Sequence, residues 1–342
     1  MVADSATAHP RHRPRARAAA LGACLAAVVV MCVLSLALGT RAISPGAVFT
    51  ALTDPSAPFA ETIRGLRVPR TLTALAAGAA LGLAGTVMQG VTRNPLADPG
   101  LLGVNAGASL LVVTAITWLG ISSPVGFVWF AFAGAAVATV VVYAIASRAT
   151  GGATPFRLAL AGAAVTAAGT SLVTLVLLTS RTTLDQYRFW SVGSLANPDT
   201  GSLLTVLPFL LVGAALALGS GRTMNALALG EDAAVGLGQD LRRAKLVMGT
   251  AIVLLCGSAT ALAGPIAFVG LTVAHIARRL AGGDYRWVLP LAATLGPALL
   301  LGADVLGRLV ARPGELEAGI VVAFLGAPVM IGLVRRGQVP VR

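Results

Sequence analysis

Long uncharged runs, rather than alternating polar and apolar positions, fill this chain. Ten apolar stretches can be marked: Ala18–Gly39, Val68–Gly90, Leu101–Gly120, Pro124–Ser147, Phe156–Thr179, Ser202–Gly219, Arg243–Ala263, Pro265–Ala281, Arg286–Leu306 and Leu316–Val334. A hydrocarbon layer of ~30 Å takes about 20 helical residues at 1.5 Å each. A membrane β-strand would instead show ~10-residue segments of alternating hydrophobicity. The pattern therefore predicts an all-α polytopic membrane protein with ten transmembrane helices. The first run has no charge from Ala18 to Gly39, longer than the 7–15 residues usual for the core of a cleaved signal peptide, so it reads as a retained helix. The weakest run is Pro265–Ala281, which follows a Gly264-Pro265 break and meets His275, Arg278 and Arg279 before a full span is complete.

Composition sharpens the class. Of 342 residues 56% are hydrophobic and 11% charged, with a mean hydropathy of +0.86, whereas soluble domains carry about a quarter charged residues. This excludes a cytosolic enzyme, a disulfide scaffold and a disordered chain. The net charge of +12 comes from 24 Arg and one Lys against 13 acids. Because the cations sit mostly between apolar runs, they report topology rather than nucleic-acid binding. With ten spans and both termini cytoplasmic, 17 of the 25 cations fall on the inner side. If Pro265–Ala281 did not cross, Arg278, Arg279 and Arg286 would move outside and the asymmetry would weaken. The domain reading is a basic cytoplasmic arm (residues 1–17), a ten-helix transmembrane domain (18–336) and a cytoplasmic tail (337–342). Cys24, Cys32 and Cys256 lie inside apolar runs at no metal-ligand spacing, and no metal site is expected.

The chemistry begins with what is missing. A P-loop needs Gly-Lys followed by Ser or Thr, but the one lysine, Lys245, follows Ala244. No catalytic motif is present, so any ATP and Mg would belong to a separate ATPase. The run Thr71–Gly90 carries Gly78, Gly82, Gly85 and Gly90, small residues that let helices approach closely in lipid. Beyond it, Asn94-Pro-Leu-Ala-Asp-Pro-Gly100 breaks the helix at the membrane edge, where irregular backbone must be buried or line a cavity. Residues 223–240 form a polar loop on the basic side whose leucines and Gly230-Glu231-Asp232 predict a short helix, a turn and a second short helix. Arg67, Arg70 and Arg308 fall on the outer side, against the charge rule, and invite either lipid phosphates or an acidic partner. Asp304 is the one acid deep in an apolar run; Arg308, four residues on, makes a structural pair the favoured reading. An ion-gradient-driven secondary transporter is the alternative, and it would need paired intramembrane acids.

Several motifs in order resemble the permease subunits of ABC importers for iron–siderophore complexes, haem and cobalamin: Arg67–Val104 with NPLADPGLLG at Asn94–Gly103, Thr154–Leu158, Phe189–Gly193, Asn225–Glu231, Ala263–Leu271 and Leu325–Pro328. The resemblance covers about Pro45 to Arg336 and implies ten helices in a bacterial inner membrane. It implies a pathway formed with a second permease subunit, as homodimer or heterodimer, two ATP-binding subunits, and an extracytoplasmic substrate-binding protein. By position it implies a cytoplasmic gate at Asn94, Leu96, Gly152 and Thr154, and a translocation path along the fifth run (Gly162, Thr166, Gly169, Thr170, Ser171). It also implies ATPase contacts at Leu229, Gly230, Glu231 and Asp232, and carboxylate docking at Arg67, Arg70 and Arg308.

Overall fold

The structure, a computed structural model, describes residues 14–121, 123–148, 154–196 and 199–335. Among them every regular element is helical. In chain order these are α1 (Pro14–Ala37), α2 (Pro45–Thr53), α3 (Val68–Thr92), α4 (Val104–Leu119), α5 (Pro124–Ser147), α6 (Pro155–Thr179) and α7 (Arg181–Ser191). There follow α8 (Thr200–Gly219), α9 (Gly221–Ala228), α10 (Glu231–Gly236), α11 (Leu241–Ala263), α12 (Val269–Ala281), α13 (Tyr285–Val310) and α14 (Ala318–Arg335). A π-helical turn, Thr62–Arg67, runs directly into α3, and a 3₁₀ turn, Pro99–Leu102, precedes α4.

Among the described residues, seven helices are long and apolar enough to cross a membrane: α1, α3 with its π-helical lead, α5, α6, α8, α11 and α13. The other three predicted runs hold α4, α14 and α12. α12 has only 13 residues, about 20 Å of helix, because residues 264–268 stay non-helical behind Gly264 (φ +72°) and Phe268 (φ +67°). α1 starts at Pro14 rather than at Ala18, which a proline at the first helical position permits since its absent N–H would have no partner there. The rest of the predicted arm and the tail 337–342 lie outside the described residues.

Small residues set the packing. α3 runs antiparallel to α13, with Gly78 on Gly296 and Gly82 on Ala292, and it meets α12 at Gly85 against Gly270. A Cβ at any of these glycines would enter the neighbour's backbone. α4 and α5 meet the same way at Gly107 and Gly134. α3 is accordingly buried along almost its whole length, while α1, α6 and α8 keep wide apolar faces exposed. α3, α11 and α13 therefore form the centre of the bundle, and the polar groups at the two ends of α3 and α13 are held by the stiffest part of the molecule.

Candidate functional site

One polar cluster lies where α1 and α13 end and α3 begins. The last carbonyls of a helix have no intrahelical donors, and here buried arginines supply them. Arg308 donates from Nη1 to Ser35 O (3.1 Å) and Leu38 O (2.8 Å), and from Nη2 to Ser35 Oγ (3.0 Å). Arg67 donates to Leu36 O (2.6 Å) and Arg41 O (2.7 Å). Asp304, 1% exposed, receives Arg70 through Nη2 at 2.7 Å and Nε at 3.1 Å, and Arg308 at 2.8 Å. Arg70 extends its Nη1 to Glu315 at 2.7 Å. Three guanidiniums thus share two carboxylates and a set of helix-end carbonyls.

Arg67, Arg70 and Arg308, the residues expected to receive a partner's carboxylates, face into this chain. They are 7%, 8% and 2% exposed and turn inward, because α1 ends beside them with unpaired carbonyls and Asp304 is available inside. The cations exposed at this corner include Arg41, Arg64 and Arg312. Arg41 lies 5.1 Å over the Phe59 ring, Arg64 donates to Leu52 O at 3.1 Å, and Arg312 donates to Gly39 O at 2.6 Å. Sequence reading missed Glu315 and Ser35. Glu315 follows the proline-glycine turn after α13, but nothing local shows that the chain returns to Arg70.

A second cluster sits at the opposite end of α13. The Arg222–Lys245 loop folds as α9, a turn at Gly230 (φ +114°) and α10. That backbone angle lies in a region only glycine enters freely, and it lets α10 leave the line of α9. Glu231, the first residue of α10, lies 3.0 Å from Lys245 Nζ and 3.7 Å from Arg93 Nη2, all three side chains between a third and a half exposed. Leu229, Val235 and Leu237 are 69%, 54% and 62% exposed and Asp232 is exposed beside them, an apolar and acidic surface unlike a solvated loop. α9, by contrast, is fastened. Met224 is buried over Gly90 of α3, and Asn225 donates from Nδ2 to Asp284 (2.8 Å) while accepting from Tyr285 N (2.8 Å). Asp284 also caps α13 through Arg286 N (3.0 Å) and pairs with Arg17 of α1 at 3.5 Å.

At the second cluster, α3 ends at Arg93 (φ +49°) and the irregular backbone beyond it satisfies itself locally. Asn94 Oδ1 accepts from Leu96 N (2.9 Å), and Asp98 Oδ1 accepts from Gly100 N (2.8 Å). Such side-chain bonds replace the helix ladder that the prolines interrupt. Thr154 Oγ1 accepts from Arg157 N (3.4 Å) and caps α6; Gly152 lies outside the described residues. Pro99–Leu102 packs against α6, so the two predicted gate segments belong to neighbouring elements, although Asn94 and Leu96 are part-buried whereas Thr154 is exposed. Along α6 the predicted lining residues separate. Gly162 and Gly169 are buried, Gly169 against Ala106 of α4. Thr166 is part-buried, and Thr170, Ser171 and the neighbouring Thr174 are exposed. The hydroxyls of Thr170, Ser171 and Thr174 donate to the carbonyls four residues back at 2.8–2.9 Å. This face offers hydroxyls that are already satisfied.

The motifs Phe189–Gly193 and Ala263–Phe268 meet the start of α14: Gly319 N donates to Gly193 O (2.9 Å), and Gly264 abuts the Trp190 carbonyl. A cavity of about 180 Å³ beside them is lined by Trp190, Asp199, Glu317 and Gln186 among others. Asp199 caps α8, accepting from Ser202 N and Oγ at 2.7 and 2.6 Å; the Ser202 hydroxyl, more than any backbone donor, holds its carboxyl below the usual carboxylate range.

Residues 27–336 match the FecCD transport family. The ferric enterobactin transport system permease protein FepD of Escherichia coli (strain K12) is 46% identical over 94% of this chain and 96% of its own length. The hemin transport system permease protein HmuU of Yersinia pestis is 37% identical over 79% and 82%. A solved chain, described as an inward-facing conformation of a metal-chelate type ABC transporter, superposes with a TM-score of 0.80 at 27% identity, covering 93% of this chain and 99% of its own. A helical bundle built on glycine contacts, the matching motifs in order and a match over nine-tenths of the sequence agree: the chain belongs to the FecCD transport family.

Proposed function

We propose that this chain is the membrane permease subunit of an ATP-driven importer for iron–siderophore complexes or a closely related chelate. Family membership over residues 27–336 carries this reading, and relatives named for ferric enterobactin and hemin transport support the cargo class. In this reading ten helices cross a bacterial inner membrane, α4, α12 and α14 included, with both termini cytoplasmic. Two permease subunits enclose the path, with the exposed hydroxyl face of α6 lining it. A surface whose hydroxyls are internally bonded gives a bulky chelate few places to stick. The gate is Asn94 and Leu96 with the turn at Gly152 and Thr154.

Energy comes from two separate ATP-binding subunits, since the sequence has no P-loop. They dock on Leu229, Gly230, Glu231 and Asp232, and the exposed Leu229, Val235 and Leu237 support that placement. ATP and Mg stay on those subunits. An extracytoplasmic binding protein delivers the cargo to the arginine corner. Docking on Arg67, Arg70 and Arg308 themselves requires their internal bonds to open, a partner carboxylate replacing Glu315 on Arg70. The exposed Arg41, Arg64 and Arg312 present positive charge there without that rearrangement, and opposed charge orients an encounter more than it adds affinity.

The test is uptake of a ferric chelate into proteoliposomes holding this chain, its ATPase subunits and the binding protein. Uptake should require ATP and survive collapse of ion gradients. Uptake that persists without ATP and fails with the gradient would establish the secondary transporter instead. That alternative needs paired intramembrane acids, whereas Asp304 is paired with two arginines, Arg70 and Arg308.

A further inference from the structure

The two polar clusters lie at opposite ends of the same three helices. On α13, Asp284 and Asp304 are separated by about 30 Å of helix. On α1, Arg17 pairs with Asp284 at one end, while Ser35 and Leu38 accept from Arg308 at the other. On α3, Arg70 binds Asp304 at one end and Gly90 receives Met224 of α9 at the other. Between these clamps α3 and α13 touch backbone to backbone at Gly78–Gly296 and Gly82–Ala292. Pro290 and Pro297 interrupt the α13 ladder, but Pro297 is buried against Gly78, so the weakened turn is held from outside. Packed interiors of this kind transmit displacement instead of absorbing it. Two glycines at positive φ make joints in the loop: Gly230 (φ +114°), which separates fastened α9 from exposed α10, and Gly238 (φ +80°), which follows α10.

We infer that Asp284 is the positioning residue that fastens α9 to a rigid strut of α1, α3 and α13, and that through it a push on the Arg222–Lys245 loop reaches the arginine corner at the other membrane face. The device rests on the permease reading above. α10 takes up the partner's surface, Gly230 lets it adjust, and the Asn225–Asp284–Tyr285 clasp converts the remaining motion into displacement of α13. Asp304 and Arg308 ride on that helix, so Glu315, Arg70 and the α1 carbonyls shift partners together. By reciprocity, a ligand at the arginine corner biases the loop by the same coupling free energy.

The experiment uses the complete complex in proteoliposomes, with ATP hydrolysis measured with and without cargo-loaded binding protein, and cargo moved per ATP hydrolysed. Asn225→Ala removes the clasp while leaving the α13 cap and the Arg17 pair in place. Asp284→Asn keeps the cap oxygen and removes the charge that holds Arg17. The expected result for Asn225→Ala is unchanged basal hydrolysis, with stimulation by the binding protein and cargo per ATP both down by roughly tenfold, the scale typical of a coupling free energy. Asp284→Asn should fall between it and the unaltered complex. A purely structural role would lower the yield of complex and leave the cargo-to-ATP ratio alone. A ratio equal to that of the unaltered complex in either variant overturns the inference. Failure of the unaltered complex to need ATP would overturn the permease reading instead, so the two failures are distinguishable.

Discussion

The arginine corner and the Arg222–Lys245 loop use the same side chains to opposite ends. At the corner, Asp304 is 1% exposed and the buried Arg67, Arg70 and Arg308 are spent on Asp304, on Glu315 or on backbone carbonyls of the α1 end and the turn after it. In the loop, Glu231 meets Lys245 and Arg93 half in water, and three large apolar side chains stand uncovered. Coulomb attraction is strong where water is absent and slight where it is present. The corner's charges therefore hold this chain together, whereas the loop's charges are free to be exchanged for those of a partner. Charge type does not distinguish the two; desolvation does.

The sharpest way to break that comparison is Asp304→Ala. Removing one member of a buried ion cluster leaves Arg70 and Arg308 facing each other, and the expected loss is about 3–5 kcal/mol, read as a lower unfolding midpoint in detergent. A variant as stable as the parent would mean that the corner is wet. Next comes Gly85→Val at the contact with Gly270. Its side chain has no space against that backbone, and overpacking of this kind costs about 1–3 kcal/mol, with the same melting measurement as the check.

Asp199→Ala should cost about 1 kcal/mol, the usual worth of a lost N-cap. Its pH dependence follows from the direction of its shift. The folded carboxyl sits below its ordinary value, so its contribution is complete above the ordinary carboxylate range and disappears as pH falls through the lowered folded value. Parent and variant should converge in strong acid. Least of all for stability is Glu231→Arg, expected within about 0.5 kcal/mol for a surface site, while co-purification of the ATPase subunit is lost. If melting fell as far as for Asp304→Ala, the loop would be structural and the contrast would collapse.

Much of this was legible in the chain. Runs of uncharged residues marked the helices to within a few positions, because in lipid a backbone must satisfy itself and only a helix does so within one segment. The helix–turn–helix of the Arg222–Lys245 loop followed from its leucines around Gly230, and the pairing of Asp304 with Arg308 from four-residue spacing. The inward turn of Arg67 and Arg70 was not legible. It depends on where α1 happens to end and on Glu315, which lies 245 residues from Arg70. Nor was the clasp of Asn225 with Asp284, 59 residues apart.

What the sequence determined alone were the properties carried by neighbours within a few residues: the length and polarity of each apolar run and the helix breaks at proline and glycine. What only the tertiary structure decided was which charges are dry. Burial of a side chain is settled by segments far apart in the chain, and it is burial that turns an arginine from a surface cation into the pin of a three-helix joint.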